Sequence, residues 1–461
     1  MLFPINDLTI LCYHSKKVLS IEISGAKKVH KLLIFLLLCV NIYKMRILFV
    51  YSDNQSVSGE VIKLKLDKRI LAFTQLLSAS VFGDGKISST EEIDWDFIFA
   101  CAVKNDVLPL LLPAFRLNDG LKAENLAAVE KSAKVDAYAE TKKAVCASKL
   151  LKALEAEGIT AVVLKGLAYK SLYTYPELRK MSDLDLLVID GDLEKVYEIA
   201  TGVGKVVCGA EKHHFTLDAT LNVETTVQLY PDEENSLFEE YSINADITKE
   251  SVCTFGFYSD EFYTLTPTHN ALYCAYHMFK HFIFGGIGAR QMCDFALFVS
   301  KFSNEIDWPY VLKMAERARM GRFIYSLVRI ADRYFSVDVS RFYEICQERV
   351  DDLTVDEVWC DMLEGGVFGV STHEREIARS IVFRKIKGED SGIKAVFPSL
   401  SYMRKEFSYV DFCPILLPIG WIHRFFRFLF GRVFKSKSFD VIPKSRRIAE
   451  ERIKIMDKLG V

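Results

Sequence analysis

Residues 164–166 read Leu164–Lys165–Gly166, and residues 179–188 read Arg179–Lys180–Met181–Ser182–Asp183–Leu184–Asp185–Leu186–Leu187–Val188. The second stretch turns apolar and β-rich after Ser182, which predicts a strand over Leu184–Ile189. Alternate residues of a strand share a face, so Asp183 and Asp185 project together while Leu184 and Leu186 face the other way. Two carboxylates about 7 Å apart along a strand can converge on a shared divalent cation. Hard oxygen ligands of this kind suit Mg²⁺ or Mn²⁺, and catalytic pairs of such ions sit about 3.5–4 Å apart. An acidic pair at a strand edge is also common without any ion, so this D-x-D takes its meaning from its neighbours.

Upstream, Gly158 punctuates a change of period, and Ile159–Leu164 is a short β-rich run. Gly166 then opens an expected helix over Ala168–Tyr173, and its missing side chain allows close approach of backbone to a phosphate at the helix N-terminus. Lys165 adds a positive charge at that turn, and Ser182 a hydroxyl beside the acidic pair. Downstream, Asp192 caps an expected helix over Asp192–Ala200, and Val223–Leu229 alternates like a third strand, placing Glu224 as a third carboxylate.

The order strand, glycine turn, helix, D-x-D strand and later acidic strand resembles the core of polymerase-β-type nucleotidyltransferases. The likeness is closest to the uncharacterised nucleotidyltransferase family of bacteria. It is carried by Leu164–Gly166, Arg179–Val188, Val223–Leu229, His277/His281 and Arg290/Asp294, and it runs from about Leu66 towards the C-terminus. The turn is Lys-Gly, as in that branch, where the wider superfamily has Gly-Gly or Gly-Ser. Thr226 stands where the branch often has histidine.

The resemblance implies an α+β fold with a polymerase-β-like core, a mixed sheet with helices, flanked by helical regions. It implies Mg²⁺-dependent transfer of a nucleoside monophosphate from a nucleoside triphosphate to an acceptor hydroxyl. Asp183, Asp185 and Glu224 would be catalytic metal ligands. Lys165, Gly166, Arg179 and Ser182 would bind nucleotide, with His277, His281, Arg290 and Asp294 lining the cleft. The acceptor is open among a small molecule, a sugar, a protein side chain and an RNA end. The alternative is a catalytically inactive nucleotide-binding or partner-binding module on the same fold.

Outside this core the pattern is helical. The expected organisation is 1–65 a leader of uncertain status, 66–157 a helical N-terminal region, 158–262 the core and 263–461 a helical C-terminal domain. Helices are expected over Val129–Leu154, Asn270–Phe284, Ala289–Phe302 and Trp308–Phe335. His277 and His281 are spaced i, i+4, but Met278 follows His277, so the zinc-protease pattern H-E-x-x-H fails. Arg290 and Asp294 share a helical face and are expected to pair. His213–His214 reads as a loop pair.

Lys plus Arg total 59 and Asp plus Glu 61, a net charge of −2, which argues against a surface coated with basic charge for nucleic acid. The charge is segregated. Asp183–Glu261 holds 18 acidic and 4 basic residues, and Ile422–Val461 holds 11 basic and 4 acidic. The segment 421–434 interleaves aromatics with His423, Arg424, Arg427 and Arg432; core packing, membrane-surface contact and nucleic-acid contact all remain open for it. The eleven cysteines form no C-x-x-C pair and read as buried thiols of a cytoplasmic protein.

The apolar run Leu32–Tyr43 is shorter than the roughly 20 residues of a spanning helix. It reads as a buried element, a leader or a membrane anchor, and no integral span is expected. Met45 offers an alternative start of translation. Mass spectrometry of the natively expressed N-terminus should then find Met45 first, whereas peptides from residues 1–44 would refute that start.

Overall fold

The computed structural model describes residues 7–14, 17–24 and 67–461, apart from 88–91, 190, 209–211, 230–246, 368, 370, 387–398 and 425–440. The chain divides into two compact units, Met1–Lys63 and Leu64–Val461. In the first, β1 (Asp7–His14) and β2 (Lys17–Ser24) form an antiparallel hairpin with His14 opposite Lys17. The run Leu32–Tyr43, Met45 and most of 421–434 lie outside the described residues. No helix among the described residues is long and apolar enough to cross a membrane. The nine described cysteines from Cys101 to Cys413 are free thiols.

The second unit opens with helices α1 (Lys68–Phe82), α2 (Trp95–Lys104), α3 (Leu112–Leu117) and the 34-residue α4 (Ala123–Ala156). α4 stops where Gly158 takes a φ of +74°, the left-handed conformation that commonly follows a helix C-cap. The β-branched run that follows is β3 (Thr160–Val163). Next come α5 (Leu167–Lys170), β4 (Asp183–Ile189) and α6 (Leu193–Val203), whose N-cap Asp192 accepts from the Glu194 N–H at 2.9 Å. Five more strands follow: β5 (Val206–Cys208), β6 (His214–Leu217), β7 (Leu221–Thr226), β8 (Val252–Phe257) and β9 (Asp260–Leu265).

Strands β3 to β9 make one mixed seven-stranded sheet in the order β5-β6-β7-β4-β3-β9-β8. β4 runs parallel to β7 and antiparallel to β3, and β3 runs parallel to β9. The alternation expected of β4 holds. Leu184, Leu186 and Val188 pack with Leu150 and Leu154 of α4 and Val196 of α6. Leu187, on the face of Asp183 and Asp185, packs with Val162, Leu164, Leu265 and Tyr273.

The remaining helices are α7 (Pro267–Phe284), α8 (Ala289–Phe302), α9 (Trp308–Arg317), α10 (Gly321–Phe335), α11 (Ser340–Ile345), α12 (Asp352–Gly365), α13 (His373–Ile386), α14 (Leu400–Glu406), α15 (Ser408–Phe412) and α16 (Val441–Leu459). Phe73, Phe279, Phe295, Phe323 and Trp359 draw α1, α7, α8, α10 and α12 into one helical core beside the sheet.

Three expectations need correction. The single helix over Trp308–Phe335 is two, because Arg319 turns the chain at a φ of +53° and Gly321 starts α10. The third strand begins at Leu221 and ends at Thr226, whose hydroxyl accepts from the Gln228 N–H at 3.1 Å and turns the chain. His214 is not in a loop but opens β6.

Leu186 is fully buried at the centre of the sheet. Leu186→Ala should lower unfolding stability by about 2–5 kcal/mol, read as a fall in urea midpoint. A change under about 1 kcal/mol would contradict this packing.

Candidate functional site

The register of β4 on β7 sets Asp185 directly opposite Glu224, with Asp183 opposite Asn222. One carboxylate oxygen from each of Asp183, Asp185 and Glu224 lies within 4.8 Å of the other two. Exposure grades across the group: Asp185 is buried, Asp183 half-buried and Glu224 exposed. The group therefore has a floor and a rim.

Asp185 is 7% exposed, and its Oδ2 is buried without a hydrogen-bond partner. Its Oδ1 lies 3.3 Å from Lys165 Nζ. Burial pushes the Asp185 carboxyl up to about 7; Lys165 opposes the rise, and Asp183 and Glu224 add to it. An unsatisfied buried oxygen between two further carboxylates is a donor set that fits a hard divalent cation such as Mg²⁺ or Mn²⁺.

Lys165 reaches Asp185 because of backbone geometry. The Leu164 N–H donates to the Asp185 carbonyl at 3.1 Å, extending the β3–β4 ladder one step beyond Val163 and Leu186. Gly166 then turns the chain at φ +59° and ψ −96°. A Cβ there would sit 3.0 Å from both the Asp183 carbonyl oxygen and Met181 Sδ, so a side chain would be crowded as well as strained by the positive φ. Burial lowers the Lys165 pKa, but Asp185, Asp183 and Glu224 together hold the ammonium above its usual value. Nζ also lies 3.3 Å from His277 Nε2. On α7, the rings of His277 and His281 are 4.4 Å apart. Burial, then Lys165 and His281, keep His277 well below the usual imidazole range, so it is neutral at pH 7.

The facing wall is α8. Arg290 and Asp294 share its face but do not pair with each other. Arg179 Nε donates to Asp294 Oδ1 at 3.1 Å, and the Tyr173 hydroxyl donates to the same oxygen at 2.8 Å. Arg290 Nη1 binds Asp106 at 2.7 Å, and Nη2 reaches Ser182 Oγ at 3.3 Å. Each i, i+4 partner thus holds a different point of the chain leading into β4. Lys165, Gly166, Arg179, Ser182, Asp183, His277, His281, Arg290 and Asp294 line one cleft, joined there by Val367. Asp185 lies beneath it.

Several participants escape a reading by motif. Glu140 of α4, 2% exposed, accepts from Lys170 Nζ at 2.7 Å, Lys143 Nζ at 2.8 Å and the Met181 N–H at 2.9 Å. The same two ammonium groups donate to the carbonyls of Arg179 and Met181. The run into the acidic strand is therefore held by a buried charge network from a helix about 40 residues upstream. Its one sequence signal is Lys170 amid Leu167, Ala168 and Tyr169, a lysine in an otherwise apolar turn. Asp106, in a turn after α2 at φ +55°, binds Lys180 at 2.8 Å as well as Arg290. His214, opposite Glu224 on β6, has Nδ1 3.7 Å from Glu224 Oε1.

Burial raises the Glu140 pKa, but Lys170 and Lys143 outweigh it and hold the carboxyl below its ordinary 4.5. Its contribution to stability is complete above that value and is lost as pH falls through the lower folded value. Glu140→Ala leaves Lys170 buried and unpaired, so the variant should lose about 3–5 kcal/mol at pH 7. Urea unfolding should show that difference narrowing below about pH 4. A constant difference across that range would contradict the ionic role.

The sequence profile of the family described as "uncharacterised nucleotidyltransferase" matches residues 91–336. That is more than half of the chain, and it takes in every cleft residue named above except Val367. Comparison with curated proteins and with solved structures gives no match. The seven-stranded mixed sheet with its helical flanks agrees with a polymerase-β-like core, and the chain belongs to the uncharacterised nucleotidyltransferase family.

Proposed function

We propose that this protein transfers a nucleoside monophosphate from a nucleoside triphosphate to an acceptor hydroxyl, with Mg²⁺ or Mn²⁺ held by Asp183, Asp185 and Glu224. The observation that carries this reading is the convergence of those three carboxylates, with Asp185 Oδ2 buried and unpartnered. A divalent ion bound there would neutralise triphosphate charge and orient the reacting groups.

The chain's own residues have separable tasks. Asp185 and Asp183 supply oxygens from the floor of the group, and Glu224, at its exposed rim, orients the acceptor and takes up its proton. The acceptor oxygen bonds to the α-phosphorus as the bond to pyrophosphate breaks. Lys165 and the Ser182 hydroxyl face the cleft as phosphate-binding groups, and Gly166 lets the backbone come close. Arg179 acts at one remove. Its Nε and Nη2 are engaged by Asp294 and its Nη1 donates to the Lys180 carbonyl at 3.0 Å, so it positions the Ser182–Asp183 strand entry rather than holding phosphate. Neutral His277, beside Lys165, and His281 line the cleft.

Positioning and charge neutralisation dominate this chemistry, so loss of a ligating carboxylate is severe. Asp185→Asn should abolish transfer of label from α-labelled nucleotide while circular dichroism shows an intact fold. The loss should exceed the roughly 10–100-fold typical of residues that only support a metal ligand. Full activity in this variant would sink the assignment.

A further inference from the structure

We propose that Lys165 is the resident counter-cation of the acidic group in the ion-free protein, and that its release from Asp185, with His277 as the partner it keeps, makes ion binding depend on nucleotide. This rests on the reading of Asp183, Asp185 and Glu224 as ion ligands.

The ammonium touches two partners from one position, and the second is a seat it can keep when the first is lost. Nζ lies 3.3 Å from Asp185 Oδ1 and 3.3 Å from His277 Nε2. Asp185 has its other oxygen unpartnered, and Asp183 and Glu224 crowd the same space. Three carboxylates in that space call for a cation, and among the described residues Lys165 is the lysine or arginine that pairs with the group. The neighbouring arginines are committed elsewhere, Arg179 to Asp294 and Arg290 to Asp106.

The backbone of Lys165 is held by the Leu164–Asp185 hydrogen bond and the Gly166 turn. Its four-carbon stem is flexible, so Nζ can leave Asp185 while the strand stays still. The second seat has the right chemistry to keep it. A neutral imidazole with its proton on Nδ1 offers Nε2 as an acceptor, and that seat faces the cleft lined by Gly166 and Ser182. A triphosphate entering there would present oxygens to the displaced ammonium. An ion binding alone must displace Lys165 unaided and binds weakly; an ion binding with a triphosphate does not. Ion and nucleotide are thereby positively coupled, and by linkage each favours the other equally.

The test is Mn²⁺ binding to the full chain without nucleotide, followed by the electron paramagnetic resonance signal of free Mn²⁺. Wild type, Lys165→Met, Lys165→Arg and Asp185→Asn are compared, with Lys165→Gln as a second neutral variant and thermal melting to confirm folding. The neutral variants should bind Mn²⁺ at least tenfold more tightly than wild type, while Lys165→Arg stays near wild type. A non-hydrolysable triphosphate should raise Mn²⁺ affinity strongly in wild type and much less in the neutral variants. Unchanged or weaker Mn²⁺ binding in both neutral variants, with binding lost in Asp185→Asn, overturns the role of Lys165 alone. If Mn²⁺ binds neither wild type nor the neutral variants, or binds Asp185→Asn as well as wild type, the ion-ligand reading falls and this proposal with it.

Discussion

Three carboxylates drawn from two adjacent strands share a space less than 5 Å across, and one of them is buried. Two like charges 4 Å apart repel by about 4 kcal/mol at an effective dielectric of 20. No group of this kind assembles by its own attraction, so the surrounding fold must hold it from outside. The parallel register of β4 on β7 does the first part, because it places Asp185 opposite Glu224 through backbone hydrogen bonds that the side chains cannot undo. Burial of Asp185 raises its pKa most, Asp183 and Glu224 add to the rise, and Lys165, brought in by the β3–β4 ladder and the Gly166 turn, opposes it.

The second part is done by buried ion pairs that converge on the chain just before β4. Glu140 fixes the Met181 amide and, through Lys170 and Lys143, the carbonyls of Arg179 and Met181. Asp294 fixes the Arg179 side chain, while Arg290 joins Asp106 to Ser182. Helices from both sides of the sheet in sequence thus bear on a handful of residues. Buried pairs are costly to form and costlier to break, which suits them to fixing one geometry rather than adding stability. The helical regions before and after the sheet are in this sense parts of the site.

Much of this was legible in the sequence. The alternation of Asp183–Val188 placed both aspartates on one face, and the burial of Leu184, Leu186 and Val188 on the other agrees with it. Gly166 announced a turn whose positive φ favours glycine. Strands β5, β6, β8 and β9 were not legible, because they are short, lie towards the sheet edges or are polar, and so lack a clear period-two pattern. The ion pairs were misread for a different reason. Spacing along a helix shows which residues share a face, so Arg290 and Asp294 seemed natural partners. Which distant chain each one meets is decided by tertiary packing, to which local spacing is blind. Glu140 and Lys170 carry the same lesson, 30 residues apart in sequence and 2.7 Å apart in the fold.

The central claim is nucleotidyl transfer, as distinct from phosphoryl transfer or nucleotide binding alone. The most direct measurement incubates the wild-type protein with Mg²⁺, cell extract and each of the four nucleoside triphosphates, labelled in parallel at the α- or the γ-phosphate. The account predicts that label from the α-position enters an acceptor and label from the γ-position leaves as pyrophosphate. Label entering an acceptor from the γ-position, or from neither position with any of the four nucleotides, would contradict it.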